Sequence, residues 1–61
     1  MKIEREFVSE SENIRVEIIQ CYDGQWKVTW YNRDEVTFGT FADAEYIIKL
    51  IFQLIDQGYK C

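Results

Sequence analysis

The sequence contains no histidine, only two cysteines and no long apolar run. Without histidine it lacks the most common general base, pH switch and zinc ligand of proteins. Its cysteines, Cys21 and Cys61, are too few for a four-ligand zinc site or for the disulfide framework of a small secreted domain. We therefore expect two free thiols in a reducing compartment, with no metal and no other cofactor.

The sequence gives no support for secretion or membrane insertion. The stretch MKIEREFVSE carries charge at nearly every second position and contains no apolar signal-peptide core. The longest apolar tract is interrupted by Lys49 and Gln53, whereas a spanning helix needs about 20 apolar residues. We expect a soluble cytoplasmic chain that does not contact a membrane.

No pair of side chains stands out as a nucleophile with its base, so the sequence predicts no enzyme and no catalytic residue. The acidic pairs, Glu10 with Glu12 and Asp34 with Glu35, lack the spacing and the central glycine of a calcium loop. We interpret them as solvated loop acids.

The length of 61 residues predicts a single domain, 1–61. A domain of this size buries only about 60% of the surface that its unfolded chain exposes, so its stability is small. Such domains usually depend on disulfides, a metal or a partner chain. Since the first two are not expected here, a partner would benefit this chain most.

Alternating apolar and polar residues predict an antiparallel four-strand meander followed by one helix, an α+β fold. The first strand covers residues 2–8, and Arg5 on its apolar face predicts an edge strand. The fourth strand covers residues 36–38, with Val36 and Phe38 facing inward.

The second and third strands form the clearest hairpin. A three-residue loop, 22–24, is preferred over a two-residue turn because only the longer loop sets the apolar residues of the strands opposite each other. It pairs Ile18 with Val28 and places Gly24 in the left-handed conformation of a type I turn with a G1 bulge. Trp26 and Trp30 then share the buried face, which favours core contacts over the alternative, a base-stacking platform.

The helix begins after Asp43 or Thr40, either of which is a suitable N-cap, and ends before Gly58. Its apolar stripe spans about 200° of the helix surface, more than one small sheet covers. The centre of the stripe is formed by Ala44, Ile47, Ile48, Ile51, Leu54 and Ile55.

One margin of this stripe is predicted to be exposed. Tyr46, Leu50 and Leu54 lie along it, and we expect them to form the oligomer interface of a homodimer. The alternative is that the N-terminal strand or the tail, residues 59–61, folds over them.

The outward face of the central hairpin is the predicted partner-binding surface. Ile19 and Tyr31 lie there among hydrogen-bonding side chains. The candidate residues are Arg15, Glu17, Ile19, Lys27, Thr29 and Tyr31. An ordinary solvated sheet face is the alternative.

The net charge of the chain helps to distinguish between a nucleic-acid partner and a protein partner. The chain has 11 acidic against 7 basic residues and a formal charge of −4. Nucleic-acid binding draws much of its affinity from basic residues that neutralise phosphates. The acidic balance therefore disfavours nucleic acid and favours a protein partner, for which a basic nucleic-acid-binding protein is one candidate.

Residues 25–54 resemble the AP2-like DNA-binding domains of phage integrases. The resemblance lies in Trp26-Lys27-Val28, in Phe38-Gly39-Thr40-Phe41 and in Ala42-Asp43-Ala44-Glu45, which match that family's strand, G-T-F and helix-start pattern. It implies three strands and a helix that read the DNA major groove with the sheet. That role would fall to Arg15, Lys27, Thr29 and Tyr31.

The expected function is that of a small acidic protein-binding module, the kind of inhibitor or adaptor that phages and mobile elements encode. It would act by occupying a surface on a larger protein. The alternative is a DNA-binding domain that reads the major groove with the outward sheet face, as the resemblance implies.

Overall fold

The computed structural model describes residues 3–61 and the side chains of residues 4–61. Four strands and one helix follow each other: β1 (Ile3–Ser9), β2 (Ile14–Gln20), β3 (Trp26–Asn32), β4 (Glu35–Ala42) and α1 (Ala44–Asp56). The strands form one antiparallel sheet in the order β1-β2-β3-β4. The predicted α+β meander with a C-terminal helix is confirmed. Residue 2, the predicted start of β1, lies outside the described residues.

The β2–β3 hairpin has the predicted three-residue loop. The Cys21 N–H donates to the Gln25 carbonyl at 2.8 Å, and Ile18 pairs with Val28 in the ladder. Gly24 closes the loop at a φ of +87°, a conformation that costs free energy in a residue with a Cβ. The predicted register is therefore confirmed, and it places Val16, Ile18 and Val28 together on one face.

A two-residue turn connects β3 to β4 within the predicted polar segment 32–35. Arg33 and Asp34 occupy it at φ values of 51° and 67°, and a type I′ turn requires positive φ at both positions. β4 continues to Ala42, well beyond Phe38, its predicted end. It is the longest strand of the sheet, at 8 residues.

A β-bulge in β4 reverses the orientation of Val36. Phe38 pairs with Trp30 while Val36 pairs with Tyr31, so Thr37 is an extra residue on β4. The extra residue shifts the alternation of side chains by one. Phe38 therefore lies on the α1 side of the sheet, but Val36 points to the opposite face, and the prediction that both turn inward is wrong. Phe38 is itself 57% exposed, so neither side chain belongs to the core.

Asp43 is the N-cap of α1. Its backbone is extended, and its carboxylate accepts a hydrogen bond from the Tyr46 N–H at 2.9 Å. This bond satisfies one of the amide groups that the first turn of a helix leaves without an intrahelical acceptor. Of the two predicted starts, Asp43 is thus the N-cap and Thr40 remains in β4.

The chain returns to the sheet after α1. Gly58 takes a φ of +92°, and the Tyr59 N–H donates to the Leu54 carbonyl at 3.0 Å, as in a Schellman motif. Tyr59 is buried by this turn. Lys60 then exchanges two backbone hydrogen bonds with Val8, at 2.8 and 2.9 Å. The tail therefore covers part of the outer edge of β1.

The core lies between α1 and one face of the sheet. Its buried side chains are Phe7, Val16, Ile18, Val28, Ile47, Leu50, Leu54 and Tyr59. Trp26 and Trp30 pack against this cluster while partly exposed, which confirms that they are core contacts. Arg5 lies on the same face of β1 and is exposed, as expected for an edge strand.

The helix buries the margin that was predicted to be exposed. Leu50 and Leu54 are 5% and 1% exposed, so the prediction that they form an accessible interface is wrong. Tyr46 alone of the predicted three is exposed. Leu50 and Leu54 belong to one buried cluster with residues of the sheet and with Tyr59 of the tail, so this margin of the helix faces the core. The sequence left that alternative open.

The opposite margin of α1 faces solvent. Ile48, Phe52 and Ile55 are 57%, 69% and 57% exposed, although two of them were predicted at the centre of the buried stripe. The prediction that one sheet cannot cover the whole stripe is confirmed. The uncovered part, however, is the margin with Phe52 and not the margin with Leu50.

Candidate functional site

The side of the sheet opposite α1 brings together all six residues of the predicted partner-binding surface, and we call this side the outer face. Three cross-strand pairs of β2 and β3 contribute them: Arg15 with Tyr31, Glu17 with Thr29, and Ile19 with Lys27. Their neighbours along each strand, such as Val16 and Val28, belong to the core. Because side chains alternate across a strand, the six residues share one surface.

Arg15 is held by three neighbours on the outer face. Its Nη1 donates to Oε2 of Glu6 at 3.0 Å, and its Nη2 lies 3.9 Å from Oδ1 of Asp34. Its guanidinium also lies over the ring of Tyr31. The hydrogen bond with Glu6 is the main reason why the pKa of Arg15 is raised above its ordinary value. The positive charge of Arg15 is therefore largely compensated within the protein.

Thr29 lies on the outer face but is buried. It lies on β3, which has β2 on one side and β4 on the other. Thr29 pairs with Glu17 of β2 and with Gly39 of β4. The surrounding side chains therefore leave little of the threonine for a partner to contact. The accessible candidates are the other five residues.

β4 adds two exposed apolar residues to the outer face that the sequence prediction missed. Val36 pairs with Tyr31 and is 63% exposed, and Phe41 pairs with Lys27 and is 58% exposed. The Lys27 Nζ lies 6.0 Å from the centroid of the Phe41 ring. A usable signal existed, because Phe38 and Phe41 lie three positions apart and therefore face opposite sides of one strand.

Acidic residues occupy the other half of the outer face. On β1, Glu4 lies opposite Ile19 and Glu6 lies opposite Glu17. Like charges in direct opposition across two strands are destabilising. The outer face is thus divided into an acidic half on β1 and β2 and a half on β3 and β4 that is rich in exposed apolar side chains.

A shallow groove runs along the edge of β4 beside the start of α1. It has a volume of about 480 Å³ and is lined by Phe38, Thr40, Phe41, Ala42, Asp43 and Tyr46. Tyr46, the accessible member of the predicted interface, therefore lies next to the free edge of the sheet.

The side chains of residues 4–61 include no cluster of three or more histidine, cysteine, aspartate or glutamate residues that could bind a metal ion. Cys21 and Cys61 carry free thiols. Within the described part of the chain, no helix is long and apolar enough to cross a membrane.

Comparisons with known proteins give no relative for this chain. No protein-family model, no curated protein and no solved structure matches it. The resemblance to the AP2-like domains stays a prediction, and any function has to be argued from the geometry of the outer face and the groove.

Proposed function

We propose that this chain is a non-enzymatic protein-binding module that uses the outer face, an inhibitor or adaptor of the kind that phages and mobile elements encode. The proposal rests on the division of the outer face into an acidic half and a half that is rich in exposed apolar side chains. Its apolar half, with the exposed Val36 and Phe41 and the partly exposed Tyr31, offers the contact area that protein interfaces bury to gain affinity. Its acidic half offers the charge that steers and selects a partner.

The proposed partner carries a basic surface. Glu4, Glu6 and Glu17 lie on the outer face, and Arg15, its central base, is already occupied by Glu6 and Asp34. The field at this face is therefore negative, in line with the net charge of −4. A nucleic-acid-binding protein has a surface of the required charge, and the module would compete there with phosphates.

The opposed pair Glu6 and Glu17 supports a binding role. Two acids at directly opposite positions cost stability in a chain that has little of it. Natural proteins break such local rules mainly at functional sites. Arg15 already pairs with Glu6, so a basic partner would neutralise mainly Glu17 and reduce that cost.

The DNA-binding alternative has less support from the outer face. Of the residues that the AP2-like resemblance assigns to DNA contact, Arg15 is engaged with Glu6 and Thr29 is buried. Lys27 has no ion-pair partner among residues 4–61, so one free base remains there. Tight DNA binding usually requires several such phosphate contacts.

A cytoplasmic location belongs to the same proposal. Cys21 is partly exposed and Cys61 is exposed, and both are free thiols. Reducing compartments keep such thiols unpaired, whereas oxidising compartments favour their conversion to disulfides.

The proposal is tested by capturing the partner from an extract of the native host with the immobilised chain, and by measuring binding kinetics with the purified partner. We expect Glu4→Lys to slow association several-fold. Asp56→Lys is the matched control, since it makes the same charge change at an exposed position on the helix. Equal effects of both variants would show that only net charge matters and would contradict a specific role of the outer face.

Affinity is tested by a second matched pair. Val36→Ser removes an exposed apolar side chain from the outer face, and Ile48→Ser removes one from the helix. We expect only Val36→Ser to speed dissociation. Fluorescence anisotropy with random duplex DNA over a salt series completes the test, because tight, salt-sensitive DNA binding that is lost in Lys27→Ala would overturn the proposal.

A further inference from the structure

The two edges of the sheet differ in what protects them. On β1, the Val8 N–H and C=O both bond to Lys60, and residues 4–6 are all charged. Edge charges and covering segments are how natural sheets block further pairing. On β4, Glu35 and the bulge at Thr37 both lie at the start of the strand, whereas residues 38–42 carry no charge and no proline. Within residues 3–61 no strand pairs with its outer side.

The hydrogen-bond alternation of the sheet identifies the peptide groups at this open edge. Residue pairs of antiparallel strands alternate between hydrogen-bonded and non-hydrogen-bonded. Cys21 and Gln25 form a hydrogen-bonded pair, so Ile18 and Val28, three pairs further along the ladder, form a non-hydrogen-bonded pair. The peptide groups of Val28 therefore point toward β4, where its partner is Thr40, and the peptide groups of Thr40 point back toward β3. Those of Gly39 and Phe41 consequently point away from β3, toward solvent.

We propose that a second copy of this chain pairs with β4 in antiparallel orientation, about a two-fold axis at Thr40. This register sets Gly39 of each copy opposite Phe41 of the other, so that the edge peptide groups of both residues find partners. Phe38 lies opposite Ala42 of the second copy. The interface uses the edge of the sheet and takes one residue, Phe41, from the outer face, whereas the outer-face function proposed above also rests on Val36, Tyr31 and the acidic half.

Side-chain size fits this register. A Cβ built on Gly39 meets only the Val28 carbonyl oxygen at 3.8 Å, so the space above Gly39 is open. Phe41 lies on the same face and is 58% exposed. An aromatic ring laid across an edge glycine of the neighbouring strand stabilises such pairs. Each Phe41 ring would cover the glycine of the other copy.

The groove fits the same register on the α1 side of the sheet. Phe38, Ala42 and Tyr46 line it. With Phe38 of the second copy opposite Ala42, its exposed ring enters the groove beside Tyr46. Two exposed aromatic side chains per copy are thereby removed from water, one on each face of the sheet.

The proposed contact contains no charged side chain. Two chains of net charge −4 repel each other, so a contact between two copies has to avoid placing acidic residues opposite each other. Residues 36–42 meet this condition, because they include no aspartate or glutamate. A second copy also supplies a Phe41 ring for each Gly39, which makes this edge complementary to itself.

The first test is the mass of the full chain in solution by sedimentation equilibrium. We expect about twice the chain mass of 7.4 kDa at micromolar concentration. Phe41→Lys is expected to return the mass to that of one chain while the circular dichroism spectrum stays native. Phe52→Lys, which replaces an exposed aromatic on the helix, should leave the dimer intact. A monomeric native chain, or a dimer lost only in Phe52→Lys, overturns the proposal.

The second test addresses the register by exchanging the two opposed residues. Phe41→Gly alone leaves glycine opposite glycine and should weaken the dimer at least tenfold. Combining it with Gly39→Phe restores an aromatic residue opposite glycine, so the double variant should recover the dimer. Failure of the second substitution to restore the dimer contradicts pairing about Thr40.

The third test uses crosslinking in a background with Cys21→Ser and Cys61→Ser. Thr40 and its copy would be a non-hydrogen-bonded pair with Cα atoms about 4.5 Å apart, a separation that a disulfide spans. Thr40→Cys should therefore form a covalent dimer when diamide oxidises the thiols. Thr37→Cys lies far from its copy and should not. Equal crosslinking at both positions would contradict a fixed register.

Discussion

Arg15 and Tyr31 are direct cross-strand partners, and the Arg15 guanidinium carbon lies 4.1 Å from the centroid of the Tyr31 ring. A cation over an aromatic face is attracted to it, and here the same guanidinium also bonds to Glu6. The pair thereby connects the acidic half of the outer face to its apolar half. Replacing either residue should disturb both halves.

The first prediction concerns the salt dependence of this cluster. Arg15→Gln should lower the midpoint of thermal unfolding at low salt, because it removes the ion pair with Glu6. The difference from the native chain should shrink at about 1 M salt, where the screening length is only about 3 Å. Arg5→Gln is the control, since among the side chains and backbone that the structure describes the Arg5 guanidinium bonds only to a backbone carbonyl. A salt-independent difference for Arg15 would show that its packing matters more than its charge.

The second prediction concerns the hairpin loop. Gly24→Ala should lower the free energy of unfolding by roughly 1 kcal/mol, because the φ of +87° strains any residue with a Cβ while no atom lies close enough to clash. Gly24→Asn should cost less, since asparagine tolerates the left-handed region better. Urea denaturation measures both. Equal losses in the two variants would point to a cause other than backbone strain.

The third prediction tests which side of α1 is buried. Leu54→Ala should cost about 2–5 kcal/mol, enough to unfold much of so small a domain. Ile55→Ala, at the adjacent exposed position, should change the stability by less than about 0.5 kcal/mol. Circular dichroism and urea titration distinguish the two. Similar losses would mean that the helix is rotated relative to the sheet.

The fourth prediction concerns alkaline pH. Burial favours the neutral phenol and raises the pKa of Tyr59 above its ordinary value of 10.0, with a smaller contribution from Glu12. The folded state therefore keeps a proton that the unfolded state releases. This stabilisation is complete below about pH 10 and is lost as the pH rises through the folded pKa.

Tyr59→Phe isolates that effect, because phenylalanine keeps the buried ring without the ionisable hydroxyl. We expect the native chain to lose more stability than Tyr59→Phe between about pH 9 and pH 11 in urea titrations. Parallel pH profiles for the two chains would show that Tyr59 does not ionise differently in the folded and unfolded states.

Local patterns in the sequence are sufficient for most of the fold. Alternation and the turn residues place all four strands, and the loop closed by Gly24 sets the register of the central hairpin. The orientation of Val36 was predicted wrongly because the bulge at Thr37 reverses the alternation, and no local sequence pattern marks an extra residue. The buried face of the helix was predicted wrongly because an apolar stripe of about 200° is wider than the sheet covers, and its sequence does not indicate which part packs on the sheet.

The hairpin residues of the site were predictable, whereas Val36 and Phe41 on β4 and the interactions among the side chains were not. Alternation alone placed the six hairpin residues on one face. The engagement of Arg15 with Glu6 and Asp34 depends on the neighbouring strand and on a turn, so it required the tertiary structure. The burial of Leu50 and Leu54 likewise depends on tertiary contacts, because both belong to a core cluster with strand residues and with Tyr59, which follows the helix.

The bridge between Val8 and Lys60 limits how far the sheet can grow. A strand added at β4 leaves only β1 as an outer edge, and that edge is closed at Val8 by the tail and charged at residues 4–6. Sheets with two open edges can extend indefinitely into fibres. In the proposed dimer both outer edges would be β1 strands, and the bonds between Lys60 and Val8 would keep the assembly finite.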